Sequence, residues 1–169
     1  VTGCMVQRYG VSLEGELPEV DHFLGTGEYH RIDEVLRARE GEAPRSYIDT
    51  PLFLHDEMAP RLSPWKKHSS YLKISEGCNH RCAFCIIPQL RGKLRSRTVP
   101  SLVAEARQLA AAGVRELSLV SQDSTAYGRD LSDGSNLGGL LRGLARVDGI
   151  DWIRLHYVYP IGFPESALR

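Results

Sequence analysis

Tyr71-Leu72-Lys73-Ile74-Ser75-Glu76-Gly77-Cys78-Asn79-His80-Arg81-Cys82-Ala83-Phe84-Cys85 is the stretch whose reading decides the fold. Its first five residues suit a β-strand. The cysteines follow directly with the spacing C-x3-C-x2-C, so three thiols crowd one loop at the strand's end. Downstream, helical and strand patterns alternate. After Pro100, Ser101 is placed to cap a helix whose apolar face is Leu102, Val103, Ala106, Leu109 and Ala110, with Gly113 to end it. Residues 116–121 read as a second strand. Asp133-Gly134 marks a turn, and Leu137, Leu140, Leu141, Leu144 and Val147 recur at helical spacing. Residues 152–158 read as a third strand. This β-α-β-α-β order calls for right-handed crossovers and a parallel sheet, with all three strands ending on one side. Ligands of parallel α/β barrels gather on that side. The cysteine loop, Ser121-Gln122-Asp123-Ser124 and His156-Tyr157-Val158-Tyr159-Pro160 would meet there. The chain from Tyr71 onward falls short of the more than about 200 residues that a complete barrel takes, so the barrel is expected to stay open.

The 169 residues are 42% hydrophobic and 25% charged with no formal net charge, which is the composition of an ordinary globular chain with enough length for a real core. No apolar run approaches the roughly 18 to 20 residues of a membrane span, and the N-terminus has no signal-like core. A cytoplasmic location and no membrane partner are the expectation. Neutrality hides an asymmetry. Residues 1–60 carry twelve acids and five bases, whereas residues 61–97 carry nine bases (Arg61, Lys66, Lys67, Lys73, Arg81, Arg91, Lys93, Arg95 and Arg97) against the single acid Glu76. That stretch is either a solvated basic loop balanced by an acidic neighbour or a basic rim for an anionic substrate or ribosomal RNA.

Residues 1–50 and 70–169 read as unlike pieces joined by a linker over residues 51–69, which contains Pro51, Pro60 and Pro64. In the first piece, Ile32, Val35 and Leu36 predict a helix over residues 29–39, and Val1-Thr2-Gly3-Cys4 reads as a strand end opening into a loop. A chain that opens in mid-strand reads as a piece of a longer protein. Gly25-x-Gly27 is too short for a phosphate loop.

The even cysteine count (4, 78, 82 and 85) would suit disulfides in a secreted protein, but three cysteines within eight residues suit a metal or catalytic site better. Three thiolates on a [4Fe–4S] cluster leave one iron without a protein ligand. That iron can take the amino and carboxylate groups of S-adenosylmethionine (SAM) and pass an electron into its sulfonium, giving a radical able to abstract hydrogen from an unactivated carbon. A structural zinc module is the alternative. It needs a fourth ligand, no second C-x2-C or H-x3-H is present, and His80 lies awkwardly inside the loop.

This motif, following a strand and with Phe84 just before its last cysteine, resembles the radical SAM superfamily. The resemblance implies that Phe84 lies near the adenine; simple core packing is the other reading. Glu76-Gly77-Cys78-Asn79-His80-Arg81-Cys82-Ala83-Phe84-Cys85-Ile86-Ile87-Pro88, then Arg91-Gly92 and Ser96-Arg97, resembles its methylthiotransferase branch. Gly3-Cys4-Met5-Val6-Gln7-Arg8-Tyr9 resembles the last cysteine segment of that branch's N-terminal domain. The resemblance implies a second [4Fe–4S] cluster with Cys4 as its third ligand and the other two upstream of Val1. Residues 21–27, 85–92, 121–128 and 155–160 are similar to the members that modify an aspartate of ribosomal protein S12, rather than to those that modify an adenosine of transfer RNA.

The implied fold is the end of a small α/β N-terminal domain followed by a truncated, parallel, TIM-like barrel. The implied activity adds a methylthio group to the β-carbon of the aspartate, using SAM as both methyl donor and radical source. Ribosomal protein S12, an electron donor and a sulfur source are the implied partners. Ser121 and Gln122, at the second strand's end, would grip the SAM amino group; ordinary polar turn residues are the other reading. On the third strand Arg154 and His156 alternate with Ile153, Leu155 and Tyr157, which leaves open the set that faces the site. Anaerobic reconstitution with iron and sulfide is expected to load about four irons on the Cys78, Cys82 and Cys85 set. Stoichiometric zinc without charge-transfer absorption would overturn that assignment.

Overall fold

The computed structural model describes residues 1–38, 41–61, 68–160 and 162–168. Arg39 at the end of the first expected helix, and Pro64, Lys66 and Lys67 in the expected linker, lie outside the described residues. Contacts between Cα atoms divide the chain into two compact units, Val1–Phe53 with Cys78–Lys93, and Leu54–Gly77 with Leu94–Arg169.

In the first unit, Thr2 bridges Leu24 in parallel, as the expected strand end requires. The expected loop does not follow: Cys4 opens a helix, α1 (Cys4–Glu16), kinked at Gly10, whose φ of 39° and ψ of −113° are not helical. Sequence pattern misses α1 because only Val6 and Leu13 are buried along it. Strands β1 (Phe23–Leu24) and β2 (Ser46–Tyr47) pair in parallel. Val6, Leu13 and Phe23 form one small core, and Leu24, Val35 and Tyr47 another. The predicted helix over 29–39 is a 3-10 turn, Tyr29–Arg31, running into α2 (Ile32–Arg37). Of its apolar residues only Val35 is buried, while Ile32 and Leu36 face solvent. A fifth element, α3 (Ile87–Arg91), takes Pro88 in its first turn and stops at Gly92, whose φ is 75°.

The second unit is built on β3 (Ser69–Lys73), β6 (Glu116–Val120) and β7 (Trp152–Leu155), which form one parallel sheet in that order. Leu72 lies beside Leu119, and Leu117 beside Ile153. Between β3 and β6 a short antiparallel pair, β4 (Ser75–Glu76) with β5 (Arg95–Ser96), brings together the two ends from which residues 78–93 depart. Helices α4 (Val99–Ala111) and α5 (Leu137–Ala145) carry the crossovers. Leu102, Ala106, Leu137, Leu140 and Leu144 pack against Leu72, Ile74, Leu117 and Leu119 in one buried core. The alternation left open on β7 is thereby decided. Ile153 and Leu155 pack on this core, and Arg154 takes the opposite face with Glu116, its Nε donating to Glu116 Oε1 at 2.8 Å.

Several boundaries differ from expectation. The first strand, expected over Tyr71–Ser75, is β3 (Ser69–Lys73), with Ser75 in the separate antiparallel pair, and the second ends at Val120 instead of 121. The cap of α4 is Thr98, whose hydroxyl accepts from Ser101 N, so Ser101 lies in the first turn. Pro100 explains this, because a proline fits the first helical turn, where no intrahelical partner is lost. Strand β7 ends at Leu155 instead of 158 because Tyr157 adopts a left-handed φ of 56°. Gly113 ends α4 at φ 93°, and Asn136 caps α5 through Gly139 N at 3.0 Å.

The core is fastened by a buried ion network. Glu105 on α4 accepts from Arg97 Nη1 at 2.5 Å and from Arg61 Nη1 at 2.7 Å. Arg97 also donates to Lys73 O and Ser101 Oγ, while the phenol of Tyr127 donates to Arg97 O at 2.6 Å. Burial pushes the Tyr127 hydroxyl well above its usual pKa, so it remains a donor. Glu105→Leu is expected to cost about 3 to 5 kcal/mol in urea denaturation, because it leaves Arg97 charged and buried without its carboxylate. A loss below about 1 kcal/mol would place the pair with exposed surface bridges.

Candidate functional site

The cysteine loop belongs to the first unit. All its thiols are free, Cys78 and Cys82 half-buried and Cys85 exposed. Cys78 N donates to Gly92 O at 3.1 Å, Cys85 N donates to Cys82 O at 3.0 Å, and the Cys78 sulfur accepts from His80 N at 3.4 Å. Among the described residues no three histidine, cysteine or acidic side chains are grouped to hold a metal ion. The donor set itself fits an iron–sulfur cluster, because soft thiolates in one exposed loop are its usual ligands. Phe84 is 94% exposed, so the core-packing reading of this ring does not hold.

Cys4, half-buried at the start of α1, accepts from Arg91 Nη2 at 3.3 Å. Thr26 Oγ1 donates to Leu90 O at 2.5 Å, so α3 is tied to both α1 and the loop after β1. Gly25 and Gly27 serve close packing: a Cβ on Gly25 would collide with Gln7 Oε1, and one on Gly27 would lie 2.7 Å from Pro51 Cα.

Ser121 and Gln122 belong to the second unit and follow β6 directly. Gln122 Nε2 donates to Glu76 Oε1 at 2.8 Å, and the other oxygen of Glu76 is paired with Lys73 Nζ. Glu76 thus joins the candidate site through its contact with Gln122, a role that the sequence motif alone does not assign. The available signal was its standing as the one acid among nine bases. Gln122 Oε1 and Ser75 Oγ are buried without any hydrogen-bond partner. Buried polar groups are nearly always paired, and each orphan costs about 1 to 3 kcal/mol; Arg97 Nε, in the ion network, is another such atom. Ser121 points elsewhere. Ser124 Oγ donates to His156 O at 2.6 Å, so its contact with Ser121 at 3.0 Å makes the Ser121 hydroxyl the donor.

The basic stretch is only partly a rim. Arg61, Lys73 and Arg97 are used in ion pairs with Glu105 and Glu76. Arg61 Nη2 also donates to Tyr71 O at 2.6 Å along the edge of β3. A cavity of about 380 Å³ lies there, lined by His55, Asp56, Arg61, Lys73 and Glu105 among others. Burial first, then the charges of Lys73 and Arg97, hold His55 below the usual histidine pKa.

Residues 72–159 match the family model described as the Radical SAM superfamily. The ribosomal protein uS12 methylthiotransferase RimO of Myxococcus xanthus (strain DK1622) is 54% identical over 169 residues, covering 100% of this chain and 35% of its own length. The protein of the same name from Pelobacter propionicus is 53% identical, covering 99% of this chain and 38% of its own. The chain therefore spans little more than a third of the curated relatives it matches. A solved structure of the radical S-adenosylmethionine methyltransferase TsrM from Kitasatospora setae, with cobalamin and a [4Fe–4S] cluster bound, aligns with 57% of this chain and 19% of its own at a TM-score of 0.44 and 22% identity.

The orphaned Ser75 hydroxyl generates a direct test. Ser75→Ala is expected to leave the free energy of unfolding within about 0.5 kcal/mol of wild type or to raise it, since it removes a buried group that bonds nothing. A loss of about 1 kcal/mol or more would mean that the hydroxyl has a structural partner.

Proposed function

The chain belongs to the radical SAM superfamily, and we propose that it is part of a methylthiotransferase that modifies the β-carbon of an aspartate in ribosomal protein S12. Identity of about one half along the whole chain to proteins of that name carries the reading. The cysteine spacing and the unpaired polar atoms at the strand ends support it.

In this reading Cys78, Cys82 and Cys85 hold a [4Fe–4S] cluster, and Cys4 is one of three ligands of a second cluster. When bound, these groups supply the electron that cleaves SAM to a hydrogen-abstracting radical and the sulfur that becomes the methylthio group. The residues of the chain bind and orient. Gln122 Oε1 would accept from an N–H of the SAM amino group, and the Glu76 carboxylate, by holding the Gln122 amide nitrogen, keeps that oxygen presented. Ser75 offers a second polar contact. Ser121 braces Ser124 behind them. The exposed Phe84 ring stacks on the adenine. An electron donor and a sulfur source complete the set of partners.

Along the sequence, residues 1–50 are the end of the N-terminal methylthiotransferase domain, 51–69 a linker and 70–169 the first part of the radical SAM core. No described helix is long and apolar enough to cross a membrane; a cytoplasmic location is the reading that a ribosomal substrate supports.

Full-length enzyme given SAM, reductant and a sulfur source is expected to place a methylthio group on ribosomal protein S12 and none on transfer RNA offered in parallel, as read by mass spectrometry. The adduct on the nucleoside alone would move the assignment to the transfer-RNA branch.

A further inference from the structure

Tyr157 is the one non-glycine residue with positive φ among the described residues. L-residues reach this backbone region only at a conformational cost, and such a residue persists where its surroundings over-determine it. Here they do. Ser124 N donates to Tyr157 O at 3.1 Å, Ser124 Oγ donates to His156 O at 2.6 Å, and Tyr159 N donates to Thr125 Oγ1 at 2.8 Å. Ser124 and Thr125 are themselves buried, and Asp123 Oδ1 fixes their turn by accepting from Thr125 N at 2.9 Å. A buried platform after β6 thus holds the segment after β7 on both sides of Tyr157. The ring gains little packing from this. It is 65% exposed, with the His156 ring 6.2 Å away and tilted by 47°. Packing among the described residues supplies no reason for tyrosine at a position where glycine would adopt the same φ freely.

The position supplies a reason. Tyr157 stands just past the C-terminal end of β7, beside β6, which Ser121 and Gln122 follow, on the side where parallel α/β sheets take their ligands. A tyrosine there offers a large, rigid surface and a hydroxyl at small entropic cost. Val158 and Tyr159 next to it are also exposed. Residues 156–160 contain no lysine or arginine, so this patch suits a polypeptide chain better than a polyphosphate backbone.

The geometry points to Tyr157 as a contact residue for the acceptor polypeptide that sets its affinity, kept in place by Ser124 and Thr125. This rests on the reading of the enzyme as a methylthiotransferase of a ribosomal protein. In the full-length enzyme, Tyr157→Gly removes the ring and the left-handed cost together. The KM for ribosomal protein S12 is expected to rise about tenfold, with kcat within about twofold and the melting temperature unchanged or higher. Tyr157→Asn, which also tolerates this backbone and lacks the ring, repeats the test without the added freedom of glycine. An unchanged KM in both variants, with or without a fall in melting temperature, overturns the inference and leaves the S12 assignment standing. Wild-type enzyme that modifies transfer RNA and ignores S12 overturns both.

Discussion

The parallel ladder that sets Leu72 beside Leu119 and Leu117 beside Ile153 constrains everything else in the larger unit. Side chains alternate along a strand, so this register sends Leu72, Ile74, Leu117, Leu119, Ile153 and Leu155 toward α4 and α5. A slip of one residue would send Lys73, Ser118 and Arg154 there instead and leave the helices without an apolar partner. Parallel pairing also obliges the chain to return over the helices between strands. Every strand of the sheet therefore finishes at the same end, and Ser75, Glu76, Ser121, Gln122 and Tyr157 all lie at or just beyond such finishes.

Charge follows the same logic. Glu105 projects from α4 into a site where Arg97 is buried and Arg61 half-exposed, and all three are held by one another. The desolvation of such a cluster is tolerable because each guanidinium finds a carboxylate and a carbonyl, with only Nε left unpaired among the nitrogens of Arg97. Three of the nine bases that look like a free cationic patch in sequence, Arg61, Lys73 and Arg97, are therefore committed to the fold. The strand-end region beside them presents orphaned acceptors, with Lys73 already neutralised by Glu76.

Costs that folding does not require collect at that same end. Ser75 Oγ and Gln122 Oε1 are desolvated without partners, and Tyr157 holds a backbone conformation that disfavours its own side chain. Arg97 Nε is a further buried atom without a partner, but the helices obey local rules closely. Thr98 and Asn136 cap their helices, Gly113 ends one, and the leucines of α5 fill the core. Departures from local consistency that gather in one place mark where a structure is shaped for something other than its own stability.

Much of this was legible in the chain itself, and for a local reason. Helical and strand periodicities are carried by neighbouring residues, so α4, α5 and the three parallel strands stand out, as does the cysteine spacing with its implied soft-metal chemistry. Signals failed where an element is too short or too little buried to show a period. Strands β1 and β2 have two residues each, and α1 buries only Val6 and Leu13 around a kink at Gly10. The early end of β7 was hidden because hydrogen bonds from Ser124, more than thirty residues away, set the backbone of its continuation. Sequence alone determined the order of β3, α4, β6, α5 and β7 and the spacing of the three thiols in one loop. Only the tertiary structure decided that residues 78–93 cluster with Val1–Phe53, that Arg91 reaches Cys4, and that Glu76 holds Gln122 across 46 residues, because burial and hydrogen-bond partners depend on register and packing that no local pattern encodes.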